Sequence, residues 1–299
     1  GKEYATFMEE IRQLRKQYQP RENKPADYLA RRTAILFNPE NCWSIERQKQ
    51  NATWNTLGHV DKYYRTLKSF GAPVDFISES KNLADYPVVI VPAYQLADPT
   101  LVEQWKTYVE NGGNLVITCR TAQKDRYGRL PEAPFGSMLT PLTGNEMEFY
   151  DLLLPQEPGV IQMDGKEYQW NTWGEIIKPA EDAEVWCTYT REFYEGKPAV
   201  TFRKVGKGTI TYIGVDSHDG MLEKDILKKL YARLDIPVMD LPYGVTLEYR
   251  NGMGIVLNYA DVPYTFNLPE GSKVLIGSTE IPTAGVLIFA TAPETSFKK

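Results

Sequence analysis

The stretch that most limits how this chain can fold runs from Tyr86 to Arg120, YPVVIVPAYQLADPTLVEQWKTYVENGGNLVITCR. Val88–Val91 is a run of β-branched residues ended by Pro92. Being apolar on both faces, it predicts a strand buried on both sides, as in a parallel sheet. Asp98 can cap a helix whose first turn contains Pro99. Leu101, Val102, Trp105, Tyr108 and Val109 then recur at helical spacing and form one apolar stripe. Gly112-Gly113 stops that helix, because glycine takes the left-handed conformation at little cost. Leu115–Thr118 predicts a second buried strand, and two parallel strands joined by a helix form a right-handed crossover. In such sheets the loops after the strands carry any chemistry; here they are Pro92–Ala97 and Cys119–Gly136.

The same grammar extends in both directions. Thr33–Phe37 predicts a first strand, NPENCWSIERQKQNA a polar loop, Trp54–Phe70 a long helix ended by Gly71, and Val74–Ile77 a second strand. The order β-α-β-β-α-β implies an α/β fold with an open, largely parallel sheet. Residues 119–148 have little periodicity, and a loop of that length is more often functional than idle. Pro155–Asn171 predicts a hairpin turning at Asp164-Gly165 through a type I′ turn. Glu184–Tyr189 and Ala199–Arg203 are strands, Gly206 and Gly208 form a turn before another, and Met221–Leu234 is a helix that Ser217 or Asp219 can cap. From Leu241 to Ala292 only short strands and turns remain. This predicts a small antiparallel β-domain, with a boundary near Val238–Pro242.

The 299 residues suit two domains with ample core. A net charge of −5 gives no reason to expect nucleic acid or an anionic membrane as partner. No apolar run approaches the roughly 20 residues needed to span a bilayer. Residues 1–20 are charged and amphipathic, unlike a signal peptide, which leaves the compartment open while leaning to the cytoplasm. Tyr4, Phe7, Met8, Ile11, Leu14 and Tyr18 share one helical face, opposite Glu9, Arg12, Arg15 and Lys16. That helix either packs back on this chain or is the tail of something upstream. Cys42, Cys119 and Cys187 form no CxxC pair, so neither a zinc site nor a disulfide framework has support, and no metal or cofactor is expected.

Candidate chemistry is thin. Cys119 follows a strand as an amidotransferase nucleophile would, but TCRTA lacks the flanking glycines, so a buried small residue is the stronger reading. Val205-Gly206-Lys207-Gly208 precedes a strand, whereas a phosphate loop needs a helix amino-terminus. Glu146/Glu148 and Asp216/Asp219 are close in sequence, which does not set the carboxyl separation that glycoside hydrolysis requires; solvated loop charges are the simpler reading. His218 reads as a helix-start residue, and His59 precedes Cys119. Trp43, Trp170, Trp173, Tyr127 and Phe135 lie in predicted loops or strand edges, where aromatics stack on sugars, anchor interfaces or simply pack.

The ordered series ILFNPENCWSIE, HVDKYYRTLKSFGAPVDFI, LADYPVVIVPAYQLADPTLVEQWKTYVENGGNLVITCRTAQKD and FYEGKPAVTFRKVGKGTITYIG resembles the glycoside hydrolase family 42 β-galactosidases. The resemblance is to their middle and C-terminal domains. It implies a flavodoxin-like domain, similar to a class I glutamine amidotransferase without its triad and involved in assembling a homotrimer. A small antiparallel β-sandwich follows. In such enzymes a (β/α)8 barrel carries two catalytic glutamates and performs a retaining double displacement on terminal β-galactosides without a catalytic metal. Too few long helices follow residue 30 for eight βα units, so the resemblance implies a piece of a larger enzyme, with Gly1 at its cut end, and no catalytic residue carries over. Cys119 stands where many relatives have an aromatic.

The expected layout is a helix and linker from the end of a barrel over 1–32, an amidotransferase-like trimerisation domain over 33–238 and an all-β domain over 239–299. The expected partners are other copies of the chain and, through the parent enzyme, a galactoside. Glu40, Trp43, Arg120 and Phe135 are the candidates for contacting a neighbour or edging an active-site pocket. Two further readings stand beside this one. The first is a carbohydrate-binding module using Tyr243, Tyr249, Tyr259 or Tyr264. The second is an independent amidotransferase-like enzyme using Cys119.

Overall fold

The computed structural model describes residues 2–17, 24–154 and 156–291; Gly1, Tyr18 and Pro155 lie outside them. The elements are α1 (Lys2–Gln17), α2 (Ala26–Ala30), β1 (Thr33–Leu36), α3 (Pro39–Arg47), α4 (Thr56–Ser69), β2 (Val74–Ile77), β3 (Val88–Val91), α5 (Pro99–Glu110) and β4 (Asn114–Thr118). They continue with α6 (Thr140–Thr143), β5 (Asn145–Asp151), β6 (Gly159–Met163), β7 (Lys166–Pro179), β8 (Glu184–Tyr189), β9 (Pro198–Val205), β10 (Gly208–Ile213), β11 (Val215–Ser217) and α7 (Met221–Arg233). The last are β12 (Val245–Arg250), β13 (Met253–Asn258), β14 (Tyr264–Thr265), β15 (Lys273–Ile276), β16 (Glu280–Ile281) and β17 (Val286–Ala290). No described helix is long and apolar enough to cross a membrane.

The chain divides into two units, one of residues 32–66 and 74–236, the other of residues 1–31, 67–73 and 237–299. The first is built on an 11-stranded sheet. Strands run parallel in the order β2-β1-β3-β4-β10. Beyond β10 the pairing becomes antiparallel, through β9, β8, β6 and β7, with β5 and β11 also on β7. The open parallel sheet read from the sequence is therefore the first part of a mixed one. Antiparallel partners can follow one another through short turns, whereas parallel ones need crossovers. At the β6–β7 turn, Asp164 and Gly165 have φ of 50° and 81°, the two left-handed residues that a type I′ turn demands.

Helix α5 follows its sequence signals. Asp98 Oδ1 accepts from Leu101 N at 2.8 Å, and Leu101, Val102, Trp105, Tyr108 and Val109 are the buried stripe. That stripe packs with Val89, Val91, Leu115, Ile117, Ile210 and Tyr212. The alternate residues Ile35, Val88, Ile90 and Val116 are also fully buried. The sheet is thus covered on both faces, which is why its strands read as unbroken apolar runs.

Residues 38–47 correct the sequence reading. They form α3 and not a polar loop. Asn38 is its N-cap, accepting from Glu40 N at 2.8 Å, and Pro39 opens the helix. The buried residues of α3 are Asn41 and Ile45, a two-residue stripe one turn apart that the surrounding charges hide from any periodicity test.

In the second unit, β12-β13-β17-β15 form an antiparallel sheet and β14-β16 a two-stranded one. Val245, Leu247, Tyr249, Val256, Leu287 and Phe289 from the larger sheet pack with Phe266 and Ile281, and Tyr28 joins the same core. Glu248 accepts from the Tyr28 hydroxyl at 2.5 Å and pairs with Lys68. In α1, Tyr4 and Phe7 of the predicted apolar face are exposed.

Candidate functional site

The ends of β3 and β4 carry a dense polar network in the first unit. Both strands leave the sheet through left-handed residues, Ala93 (φ 45°), Arg120 (φ 66°) and Ala122 (φ 54°). Such conformations are costly for residues with a Cβ and persist where surrounding contacts enforce them. Here the two loops pair with each other: Ala122 N donates to Tyr94 O at 2.9 Å, Lys124 N to Gln95 O at 3.0 Å and Ala97 N to Lys124 O at 3.0 Å. Thr118 Oγ1 accepts from Ala93 N at 2.8 Å and Thr121 Oγ1 from Tyr94 N at 3.2 Å. The loops are consequently buried, and residues 88–97 and 115–124 show no exposed position.

Glu175 on β7 ties this layer together. It is fully buried. Its Oε1 accepts from Arg120 N (2.9 Å), Trp173 Nε1 (3.0 Å) and Gln123 Nε2 (3.3 Å), and its Oε2 from the Tyr212 hydroxyl (2.5 Å). Burial raises its pKa, and the donors only partly offset that effect. The chain of amides continues outward, Gln95 Nε2 donating to Gln123 Oε1 and Ser44 Oγ of α3 to Gln95 Oε1. Asn41 Oδ1 accepts from Leu96 N at 2.6 Å, so the buried side of α3 is pinned to the loop after β3.

A stack of rings crosses the same region. The Arg120 guanidinium lies 4.6 Å from the Trp54 ring and 4.3 Å from the Trp173 ring. Tyr150 stacks on Trp173 with centroids 4.5 Å apart and planes 11° from parallel. Phe135 meets Tyr150 at 5.3 Å. The series passes from fully buried Trp173 to Tyr150, which is 39% exposed.

A second knot lies beside it. His59 Nδ1 is 2.6 Å from Asp216 Oδ1, and Nε2 is 2.9 Å from Thr118 Oγ1. Lys62 Nζ donates to Asp216 Oδ1 at 2.8 Å, and Thr172 Oγ1 to Oδ2 at 2.6 Å. Burial alone raises the Asp216 carboxyl, but the hydrogen bonds and charges of His59 and Lys62 outweigh it and hold the pKa well below the usual carboxylate range. The carboxylate–imidazole–hydroxyl order looks like a nucleophile relay. Yet Thr118 is fully buried and His59 only 1% exposed, so no substrate reaches the hydroxyl and the knot ties α4, β4, β7 and β11 together.

The four candidates from the sequence fall around this layer. Glu40 is exposed in the first turn of α3. Trp43 on the same helix is 64% exposed. Phe135 is half-buried against Trp54, Cys119 and Trp173. Arg120 is fully buried; its side chain is a brace within the fold, not a surface group. Arg120 and Phe135 belong to one stack, and Glu40 and Trp43 to the helix whose other face the Gln95 loop holds.

Several smaller readings are settled by burial. Cys119 is fully buried, and desolvation with the nearby Glu175 and Asp216 charges pushes its thiol far up. It offers no thiolate nucleophile. Asp216 is not a solvated loop charge. Asp219 is exposed and accepts from Met221 N at 3.0 Å, but the N-cap of α7 is Gly220, with no side-chain cap bond, and not Ser217 or Asp219. Glu146 and Glu148 sit on β5 and pair with Lys178 and Lys197. His218 is exposed, and Trp170 and Trp173 are core residues of β7. Tyr127 projects outward, 85% exposed. Of the tyrosines proposed for sugar stacking, Tyr243 and Tyr259 are 70% and 72% exposed while Tyr249 is buried; Tyr264 is half-buried. His59 and Glu175 were not legible beforehand, because the partners of His59 lie 59 and 157 residues away in sequence and those of the Glu175 carboxylate, Trp173 apart, 37–55 away.

Comparison with known proteins places these features in a family. The family model described as the β-galactosidase trimerisation domain matches residues 31–241. The chain is 27% identical over 248 residues to β-galactosidase BgaH of Haloferax lucentense, covering 83% of this chain and 37% of that protein. It is 32% identical over 196 residues to β-galactosidase LacA of Lactobacillus acidophilus, covering 64% of this chain and 29% of the relative. The crystal structure of β-galactosidase from Bacillus circulans sp. alkalophilus superposes with a TM-score of 0.80 at 25% identity, covering 95% of this chain and 44% of that one. The β-galactosidase of Halorubrum lacusprofundi shares the fold with a TM-score of 0.81 at 22% identity. The chain thus spans 29% to 44% of the length of these relatives. With a matching domain model over most of its length and a mixed sheet of the same architecture, the chain belongs to the β-galactosidase trimerisation domain family.

Proposed function

We propose that this chain is the assembly portion of a retaining β-galactosidase, forming a homotrimer with further copies of itself and edging the active site of the parent enzyme. The match of residues 31–241 to a trimerisation domain carries this reading. The strand-end layer supports it. Its amide and carboxylate groups are spent on internal hydrogen bonds, and its aromatic stack leads outward to Tyr150 and Phe135. A rigid ring held from behind is the kind of group that anchors an interface, because little entropy is lost when a partner covers it. Trp43 adds a second exposed aromatic on α3. Hydrolysis of terminal β-galactosides then belongs to residues of the parent enzyme outside this chain. Sedimentation velocity of the chain carrying Trp43→Ala and Phe135→Ala tests the assignment. The expected result is a trimer-to-monomer midpoint shifted at least tenfold to higher concentration, with an unchanged circular dichroism spectrum; an unchanged midpoint removes these residues from the interface.

A further inference from the structure

Arg120 and Lys124 are 0% and 4% exposed, yet neither side chain pairs with a described carboxylate. The guanidinium donates to Lys49 O at 3.0 Å and to Gln50 Oε1 at 2.5 Å. Its Nε is buried without a hydrogen-bond partner. Lys124 Nζ has one acceptor, Gln48 Oε1 at 2.7 Å. Glu175, the nearest carboxylate of the network, is already spent on the Arg120 backbone, Trp173, Gln123 and Tyr212. Burial lowers the pKa of both cations, and the Arg120 charge lowers that of Lys124 further. Trp faces and carbonyl dipoles suit a flat, weakly hydrated guanidinium. A lysine ammonium is a compact charge with three donors, and one amide oxygen is a poor substitute for a counterion.

The cover over these cations is slight. It is the segment 48–51 after α3, in which Gln48 and Gln50 are exposed and Gln50 is left-handed at φ 60°. Gln48 Oε1 already occupies the position on Lys124 that one oxygen of a carboxylate would take, so an incoming acid displaces that side chain. The chain as a whole carries 39 acidic against 34 basic residues. Copies therefore repel on average, and a basic receptor reached from the surface offsets that repulsion locally.

We propose that Lys124, backed by Arg120, is a receptor for a carboxylate, supplied by an acidic side chain of a neighbouring copy of the chain. The inference rests on the self-association reading, and its test separates the two. Three variants of the whole chain are compared by analytical ultracentrifugation: Lys124→Gln removes the charge, Gln48→Glu supplies an isosteric carboxylate from within, and the exposed Lys207→Gln is a charge control. Circular dichroism checks each fold. The expected result is association weakened at least tenfold in Lys124→Gln and in Gln48→Glu, with Lys207→Gln like the wild type. Association of the first two variants at wild-type strength overturns the proposal. If the wild type is itself monomeric, the self-association reading fails, and acetate replacing chloride at constant ionic strength decides the rest. A rise in melting temperature lost in Lys124→Gln keeps the carboxylate receptor with a free anion as its source. No rise overturns it.

Discussion

Asp216 shows how far a single residue can depart from its local sequence. Between Val215 and Ser217 it reads as one of a pair of loop acids, yet it is 7% exposed and held by His59, Lys62 and Thr172. Its folded pKa lies below its unfolded value near 3.9. The folded state therefore binds fewer protons than the unfolded one, and the stabilisation is present above pH ~4 and lost as pH falls through the folded value. Acid denaturation followed by fluorescence should show wild-type stability falling below pH ~4. Asp216→Asn should be less stable at neutral pH and flatter across that acid window. Glu175 makes a complementary case. Glu175→Gln keeps an oxygen for the three donors on Oε1 but turns an amide nitrogen to the Tyr212 hydroxyl, which must reverse to accept, and should cost about 1 kcal/mol, whereas Glu175→Ala strands all four donors and should cost about 3 kcal/mol in urea unfolding. Cys119 was legible because burial at a strand end needs only its own sequence context. Asp216 and Glu175 were not, because their character comes from partners that only the tertiary fold delivers.

At the scale of elements, legibility followed periodicity. Strands β1 to β4 and helices α4, α5 and α7 carry long apolar patterns with glycine or proline at their ends, and the structure has them within a residue or two of the sequence reading. Helix α3 was misread because its buried side is only Asn41 and Ile45, and one of these is polar. The informative signal was Asn38-Pro39-Glu40, an N-cap followed by proline at the first helical position. Asn38→Ala removes the acceptor for Glu40 N and should cost about 1 kcal/mol in thermal unfolding. Because α3 presents Trp43 outward and Ser44 inward to Gln95, fraying its first turn should also weaken self-association. The mixed character of the big sheet was partly hidden as well. The hairpin at Asp164-Gly165 and the turn at Gly206–Gly208 were visible one at a time, but no local pattern says that β9 joins the parallel strands through β10.

For the whole molecule, the order of elements and the resemblance they support point to an assembly domain, and the domain match over residues 31–241 agrees. The layer at the ends of β3 and β4 supports the proposed scaffold role. Its Glu175 carboxylate is buried and hydrogen-bonded and its Cys119 thiol is buried, while its aromatic stack and two cations that pair with no described carboxylate lie beneath or at a surface. Arg120 and Phe135 read from the sequence as interface or pocket-edge candidates; that one is a brace and the other its outer ring is not legible there, since both are set by Trp54, Trp173 and Tyr150 from distant elements. The most direct measurement is the solution mass of the purified chain by multi-angle light scattering across concentration. Closed cyclic assembly of three 34.1 kDa chains predicts about 102 kDa. A mass of 34.1 kDa at every concentration would contradict the claim that this chain carries the information for its own assembly.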